Sequence, residues 1–272
     1  MNTILSYEFM QNAILTGIMA SIICGLIGPF IVTRRMVFIS GGLSHTAFGG
    51  LGIAYWLGIH PLIGATAFVL IAAILLGRME EKKMNRNDLF IGILWAVGVA
   101  IGIIFINLTP GYAPDLMTFL FGNILTVSRT DVYITLLLVL IVASALLFFY
   151  KGFVAIALDE EYAMARRFPV ASLKMGLMIL TALSIITLIQ AVGILLVIAL
   201  LTIPVAVASE LSLNFRRILF LSILCGIVLC LSGLLISYFA ELPSGASIIL
   251  VGGLLLGTVK GAKRALVKRK AP

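Results

Sequence analysis

Long apolar runs follow one another along this chain, and few charged residues interrupt them. A helix needs about 20 consecutive apolar residues to cross the hydrocarbon core of a bilayer. The composition agrees, because 62% of the 272 residues are hydrophobic and only 11% are charged, whereas soluble domains carry about 25% charged residues. A soluble domain of this size would lack the side chains for a polar surface. The sequence therefore predicts an all-α, polytopic integral membrane protein.

The apolar runs divide into nine predicted transmembrane helices. These predicted spans cover residues 11–33, 42–59, 61–77, 89–108, 131–150, 174–191, 192–208, 218–239 and 245–259. The sequence leaves the division between the sixth and seventh spans open. Residues 174–208 either turn between Gln190 and Gly193 or continue as one long helix, which would give eight spans instead of nine.

Lys and Arg residues concentrate in alternate loops of the nine-span arrangement. When the Arg34–Arg35 loop is placed in the cytoplasm, Arg129 is the only one of the 19 basic residues that falls outside. Cytoplasmic loops carry an excess of Lys and Arg, so we expect an external N-terminus and a cytoplasmic C-terminus in the inner (cytoplasmic) cell membrane. The net charge of +8 then reflects contacts with membrane lipid, including those of the basic tail 260–272, and implies no nucleic-acid partner.

All 11 carboxylates lie in loops or at the ends of the predicted spans. Transporters driven by a proton or cation gradient usually hold an ionisable group inside the membrane, and these spans have no Asp, Glu, Lys or Arg near their middle. The ATP-binding pattern G-x-x-x-x-G-K-[ST] is also absent. If this chain moves a solute uphill, a separate subunit has to supply the energy.

The polar residues within the spans are mostly uncharged, and His45 is the ionisable side chain that we place inside the membrane, about one turn into the second span. Ser44 precedes it, His60 follows the same span at its outer end, and Gln190 ends the sixth span. A neutral imidazole binds zinc, iron and manganese to differing degrees. The residues alone leave two readings of His45 open, a transient metal ligand and a buried residue hydrogen-bonded to a neighbouring helix.

Glycine and proline residues in the spans predict how the helices pack. The pairs Gly98–Gly102 and Gly253–Gly257 each form a G-x-x-x-G pattern, which lets two helices approach closely. Pro29 and Pro204 lie within spans, where proline kinks a helix or marks a broken one.

A charged segment, residues 158–170 with the sequence LDEEYAMARRFPV, interrupts the apolar runs on the predicted cytoplasmic side. It predicts a short helix that begins near Leu158, is capped by Asp159 and ends before Pro169. The helix would carry acidic residues in its first turn, small or apolar residues in its middle and basic residues in its last turn; these are Glu160, Glu161, Ala163, Met164, Arg166 and Arg167. The pattern favours a docking surface for a soluble partner, with an ordinary capped loop helix as the alternative.

Four segments of the chain, in this order, resemble the membrane permease subunit of ABC-type importers for zinc, manganese or iron(II). They are GGLSHTAFGGLGIAYWLG, MTFLFGNILTVS, DEEYAMARRFPV and AVGILLVIALLTIPVAVASEL. The resemblance covers about residues 11–259 and implies a single transmembrane permease domain, residues 1–272, with a type II ABC-importer-like fold. It also implies a non-catalytic transport subunit that binds no cofactor itself.

The resemblance further implies a homodimer, two ATP-binding cassette subunits that bind ATP, and an extracytoplasmic metal-binding protein that delivers the ion. The segment near 158–170 would be the coupling helix that contacts the ATPase, through Asp159, Glu160, Glu161, Ala163, Met164, Arg166 and Arg167. The metal pathway would include His45, Ser44, His60 and Gln190. Zinc is the expected cargo, with manganese or iron(II) as alternatives.

Two positions depart from the family pattern. Many members carry Asp four residues before the His of the "SH" pair, where this chain has Gly41, and a Gly often follows the basic residue of the coupling segment, where this chain has Arg167. Residues i and i+4 share a helix face, so no carboxylate joins His45 on its face. Imidazole without a carboxylate favours zinc over manganese.

Other functional classes remain as alternatives from the sequence. A gradient-driven secondary transporter would take up its solute without an ATPase, and a membrane scaffold or sensor would transport nothing. An intramembrane enzyme is disfavoured, because one histidine without a mid-span carboxylate or a Cys–His pair is weak catalytic equipment.

Overall fold

A computed structural model describes residues 7–81, 87–110 and 122–270. Within these ranges the chain is helical and has no strand. The helices are α1 (Glu8–Thr33), α2 (Val37–Leu57), α3 (Pro61–Glu81), α4 (Asn87–Leu108), α5 (Arg129–Leu158), α6 (Glu160–Ala165), α7 (Val170–Val192), α8 (Ile194–Leu211), α9 (Phe215–Ala240) and α10 (Ser244–Lys270), with a 3-10 turn at Ile124–Thr126. Nine of them are long and apolar enough to cross a membrane, which confirms the predicted all-α polytopic fold.

Gly193 separates α7 from α8 and resolves the alternative that the sequence leaves open. Its φ of 82° lies in the left-handed region, which glycine adopts without the steric penalty of a Cβ atom. Gly122 packs against this junction so closely that an added Cβ would lie 2.3 Å from the carbonyl carbon of Val192. Residues 174–208 are therefore two helices. Pro29 and Pro204, in contrast, lie inside continuous helices.

Contacts between helix ends bring the basic loops together at one end of the bundle. Arg34 Nη1, just after α1, donates a hydrogen bond of 2.7 Å to the carbonyl oxygen of Ile156 near the end of α5. Arg216, near the start of α9, lies over the ring of Tyr150, with its guanidinium carbon 5.6 Å from the ring centroid. We call this the basic end.

The opposite end joins the other set of loops. Arg129, at the start of α5, forms an ion pair of 2.5 Å with Glu8 at the start of α1. Asn12 Nδ2 donates to the carbonyl oxygen of Val127 at 3.2 Å. Helices α1 and α5 therefore run in the same direction, as the charge pattern predicts, and Arg129 lies at the end away from Arg34 and Arg216.

Helix α2 occupies the centre of the bundle. In its apolar stretch 83% of the residues are buried, against 17% for α4, and α2 packs against α3, α4 and α7. The approach of α4 depends on the predicted glycine pair, because a Cβ added at Gly102 would lie 2.5 Å from the carbonyl oxygen of Phe48, and one at Gly98 would lie 2.8 Å from Cα of Thr46.

The second glycine pair has a different environment. A Cβ atom added at Gly253 or Gly257 would meet no other atom within 4 Å in the part of the chain that the structure describes. The helix contact predicted for this pair is therefore not made among the described residues, where the glycines lie on an open face of α10.

Candidate functional site

His45 lies further from the start of its helix than the sequence predicts. Helix α2 begins at Val37 and includes the apolar residues 37–39, which the predicted span left out, so His45 is about two turns from the helix start rather than one. His45 is buried, with only 9% of the residue exposed. His45 is therefore close to the middle of the most buried spanning helix.

The ring of His45 stacks on the indole of Trp95 from α4. The ring centroids are 4.1 Å apart and the planes differ by 12°. Trp95 precedes Gly98 by three residues, which places both on the same face of α4, and the close approach at Gly98 carries the indole over the imidazole. Stacking covers one face of the imidazole and leaves the nitrogen atoms at the ring edge, where a metal ion would bind.

The other polar groups of α2 near His45 use their hydroxyl protons within the helix. Ser44 Oγ donates to the carbonyl oxygen of Ser40 at 2.8 Å, and Thr46 Oγ1 donates to that of Gly42 at 2.7 Å. Both hydroxyl oxygens keep acceptor capacity, which is the capacity that a cation uses.

Gly41, one turn before His45, lies beside the same indole. A Cβ added there would lie 3.9 Å from the Trp95 ring and would meet no described atom closer than that. The position has space for a side chain, so the missing carboxylate is not a consequence of crowding. No group of three or more His, Cys, Asp or Glu residues that could hold a metal ion exists among the described residues. The site can offer an ion one imidazole and neutral oxygens.

The remaining two predicted pathway residues, His60 and Gln190, lie at the end of the bundle opposite the basic end. His60 is exposed in the turn between α2 and α3, and α2 alone extends about 18 Å beyond His45 toward it. Gln190, in the last turn of α7, lines a cavity of 120 Å³ together with Leu62, Thr66, Asp131, Ile134, Ile186 and Thr187. The structure therefore separates the four predicted residues into a pair near the middle of α2, His45 and Ser44, and a distant pair, His60 and Gln190.

The predicted cytoplasmic helix is α6, and its N-terminus forms as expected. The Asp159 Oδ1 atom accepts a hydrogen bond of 3.0 Å from the backbone N–H of Tyr162, which satisfies a donor that the first turn leaves open. Glu160 and Glu161 lie in that first turn.

The C-terminus of α6 differs from the prediction. The helix ends at Ala165, and Pro169 precedes α7 instead of ending α6. Helix α6 ends in a Schellman motif. In this motif the N–H of Phe168 donates to the carbonyl oxygen of Ala163, and the N–H of Arg167 donates to that of Met164. Arg167 takes the left-handed position, with φ of 59°. Glycine is the usual residue there, which gives a physical reason for the glycine of the family pattern at the position of Arg167.

The predicted docking residues point in two directions. Ala163 is fully buried, and Glu160 turns toward the bundle, where its carboxylate pairs with Lys174 at 2.5 Å and Arg34 at 3.9 Å. The exposed residues of the predicted set are Asp159, Glu161, Met164, Arg166 and Arg167. Charge pattern alone did not identify the two inward residues, nor did it identify Trp95 beside His45.

Comparison with known proteins agrees with this architecture. The profile of the ABC 3 transport family matches residues 6–259. A membrane protein of Synechocystis sp. is 44% identical over 250 residues, which are 92% of this chain and 89% of that protein. The manganese transport system membrane protein MntC of Halalkalibacterium halodurans is 36% identical over 252 residues, covering 93% of this chain and 86% of its own.

A solved structure has the same fold. PsaBC from Streptococcus pneumoniae in complex with Fab matches with a TM-score of 0.84 and 32% identity, over 95% of this chain and 93% of that chain. The match of the family profile and of relatives above 30% identity covers nearly all of the sequence, so the family resemblance noted from the four segments is confirmed. This chain belongs to the ABC 3 transport family.

Proposed function

We propose that this protein is the permease subunit of an ATP-driven importer of divalent transition-metal ions. The position of His45 carries the proposal, because it puts a metal-binding side chain near the middle of the most buried spanning helix. A single weak ligand suits a transport path, since an ion that enters must also leave. The printed name of the H. halodurans relative, a manganese transport system membrane protein, supports the same substrate class.

Two observations favour different metals as the transported ion. Gly41 leaves His45 without a carboxylate on its helix face, and this donor set favours zinc over manganese. The name of the H. halodurans relative favours manganese. We therefore propose zinc or manganese as cargo, with iron(II) as a further candidate, and expect a delivery protein outside the membrane to contribute to the selection.

Family membership supports a proposal for the assembly. We propose a homodimer with the ion path at its axis, two ATP-binding cassette subunits at the basic end and an extracytoplasmic metal-binding protein at the opposite end. The basic end would face the cytoplasm, in agreement with the excess of Lys and Arg there. His60 and Gln190 would then lie at the level where the ion enters.

The outward face of α6 is the proposed contact for the ATPase. Met164 is 50% exposed and is flanked by charges of both signs, with Glu161 before it and Arg166 and Arg167 after it. An apolar side chain surrounded by charged groups is a common arrangement at interfaces. We assign Glu160 and Ala163 to the inner face of α6, where they contact the permease itself.

A reconstitution experiment tests this function. The chain is placed in liposomes with its ATPase and its metal-binding protein, and uptake of radioactive zinc and manganese is measured with and without ATP. We expect uptake only with ATP and all three components. Gradient-driven uptake by the chain alone would favour a secondary transporter, and ATP hydrolysis without any metal uptake would favour a scaffold or sensor.

A further inference from the structure

The Glu160 carboxylate bridges two buried cations at the basic end. It lies 2.5 Å from Lys174 Nζ and 3.9 Å from Arg34 Nη2. The side chains of Lys174 and Arg34 are only 10% and 7% exposed, whereas that of Glu160 is 33% exposed. Lys174 therefore depends on this carboxylate for charge compensation far more than a surface lysine would.

The three residues belong to three different helical segments. Glu160 is the first residue of α6, Arg34 follows the last residue of α1, and Lys174 is near the start of α7. Arg34 also donates to the carbonyl oxygen of Ile156 at the end of α5. One carboxylate on α6 thus joins the ends of two spanning helices, and its arginine partner holds a third.

The other connections of α6 to the bundle run through the backbone and through apolar side chains. Asp159 is the single residue between α5 and α6, Ala163 offers one buried methyl group, and Phe168 follows as a partly buried side chain. The pair with Lys174 resists separation, because moving the carboxylate away would leave a buried ammonium group without a described anion. If α6 moves, Glu160 is the side chain best placed to pull α1 and α7 with it.

The two linked helices lead into the rest of the bundle. Helix α7 packs against α2, which carries His45, and also against α3 and α5. Helix α1 packs against α5, α8 and α9. A displacement of their basic ends therefore reaches helices on both sides of the molecule.

We infer that Glu160 is a positioning residue that transmits the displacement of α6 to α1 and α7, and so couples ATP hydrolysis to opening of the ion path. This inference rests on the proposed function. It assigns Glu160 to a link inside the permease rather than to the surface that contacts the ATPase.

Reconstituted transport tests the link through the number of metal ions taken up per ATP hydrolysed. We expect Glu160→Gln to lower this ratio about tenfold, while the variant still assembles with the ATPase and hydrolyses ATP within about twofold of the parental rate. Glu160→Asp, which keeps the charge, should recover part of the ratio. The matched control is Glu210→Gln, which breaks a 2.8 Å pair with Lys263 between α8 and α10 at the same end and should leave the ratio unchanged.

A second variant keeps the test valid if Glu160→Gln fails to fold. Glu160→Gln combined with Lys174→Met removes one buried cation with the carboxylate, so its thermal unfolding should return toward the parental temperature. We expect it to remain uncoupled, because the link to α7 is still missing. A drop in thermal stability that tracks the drop in uptake, with coupling restored in the double variant, would show a structural role only and overturn the inference.

The remaining outcomes also separate the two proposals. A parental ratio in a folded Glu160→Gln complex would overturn the link and leave the proposed function intact. Loss of the ATPase from a folded Glu160→Gln permease would make Glu160 a docking contact and would also overturn the link. If the parental complex shows no ATP-driven uptake at all, the proposed function fails, and the link fails with it.

Discussion

The contact between α2 and α4 and the basic end around α6 are assembled by opposite means. Glycines let the two spanning helices approach to backbone distance, and the ionisable side chain at that contact is His45. Around α6, two buried cations and a carboxylate tie helix ends together. One region is defined by shape and the other by charge.

The difference follows from the surroundings of each region. A charge near the bilayer centre is costly, so specificity within the membrane has to come from close packing and neutral groups. At the end of the bundle water is near, and ion pairs can form where one partner remains partly exposed. Charge is therefore available for joining helices at the ends of the bundle, as the Arg129–Glu8 pair at the opposite end also shows, rather than near the middle of the spans.

The largest effect should come from filling the glycine contact. Gly102→Leu forces a side chain into the space of the Phe48 carbonyl, only 2.5 Å from an added Cβ, and we expect a loss of about 3 kcal/mol in the free energy of unfolding or failure to insert. Thermal unfolding in detergent measures it. The control is Gly92→Leu in the same helix, where an added Cβ meets no described atom within 4 Å and the helix propensity improves by up to about 1 kcal/mol. Equal stability of the two variants would contradict the packing of α2 on α4.

Removing the imidazole should leave the packing of α2 on α4 intact and impair metal transport. We expect His45→Ala to lower metal uptake at least about tenfold, which corresponds to about 1.4 kcal/mol, with assembly and basal ATP hydrolysis retained. Asn107→Ala is the control, since Asn107 Nδ2 donates to the carbonyl of Ile103 within its own helix and the side chain is exposed. Parental uptake by His45→Ala would make the histidine a packing residue, stacked on Trp95 and nothing more.

The sequence was sufficient for the spans, because their length and apolar composition are dictated by the bilayer itself. The position of His45 along its helix was missed for a local reason. Helix α2 begins at Val37, and the predicted span left the apolar residues 37–39 in the loop after Arg35, so it placed the helix start too late. The stacking on Trp95 depends on how α2 and α4 are aligned along each other, and no property of either segment alone reveals that alignment.

The sequence also did not predict which residues of α6 face the bundle and which face the exterior. A helix dipole favours carboxylates in the first turn whichever way they point, so the pattern placed Glu160 and Glu161 together although one faces the bundle and the other the exterior. The two glycine pairs give a second example. Gly98–Gly102 and Gly253–Gly257 have the same spacing, and only the first has a neighbouring helix among the described residues.

The outer face of α6 can be tested by substitution at Met164, which leaves the ion pairs of Glu160 in place. We expect Met164→Glu to weaken binding of the ATPase by about tenfold, because a carboxylate beside Glu161 adds repulsion and would be desolvated in the contact. The ratio of ATPase to permease after purification in mild detergent measures it. Leu213→Glu is the control, since Leu213 is 98% exposed between α8 and α9 at the same end. Ala163→Trp is unsuitable, because a fully buried residue reports folding as much as docking.

The smallest effect concerns Arg167, where the backbone and the side chain have opposing requirements. Its left-handed φ of 59° costs a residue with a Cβ atom about 1 kcal/mol relative to glycine. Arg167→Gly should therefore raise the free energy of unfolding by up to about 1 kcal/mol, or about 2 °C in the midpoint of thermal unfolding. The same change removes an exposed cation from the outer face of α6, and we expect ATPase binding to weaken about twofold, the effect of a single surface charge.

Arg35 provides the matched variant for that last experiment. It also has a left-handed φ, of 58°, but follows α1 instead of α6. Arg35→Gly should give the same gain in stability with no loss of ATPase binding, because its side chain is not on the proposed docking face. Equal losses of binding in both variants would mean that the overall charge of the basic end attracts the ATPase, since the two substitutions remove the same charge from different places. Loss in Arg167→Gly alone would place the contact at α6, because only there does the lost cation lie beside Met164.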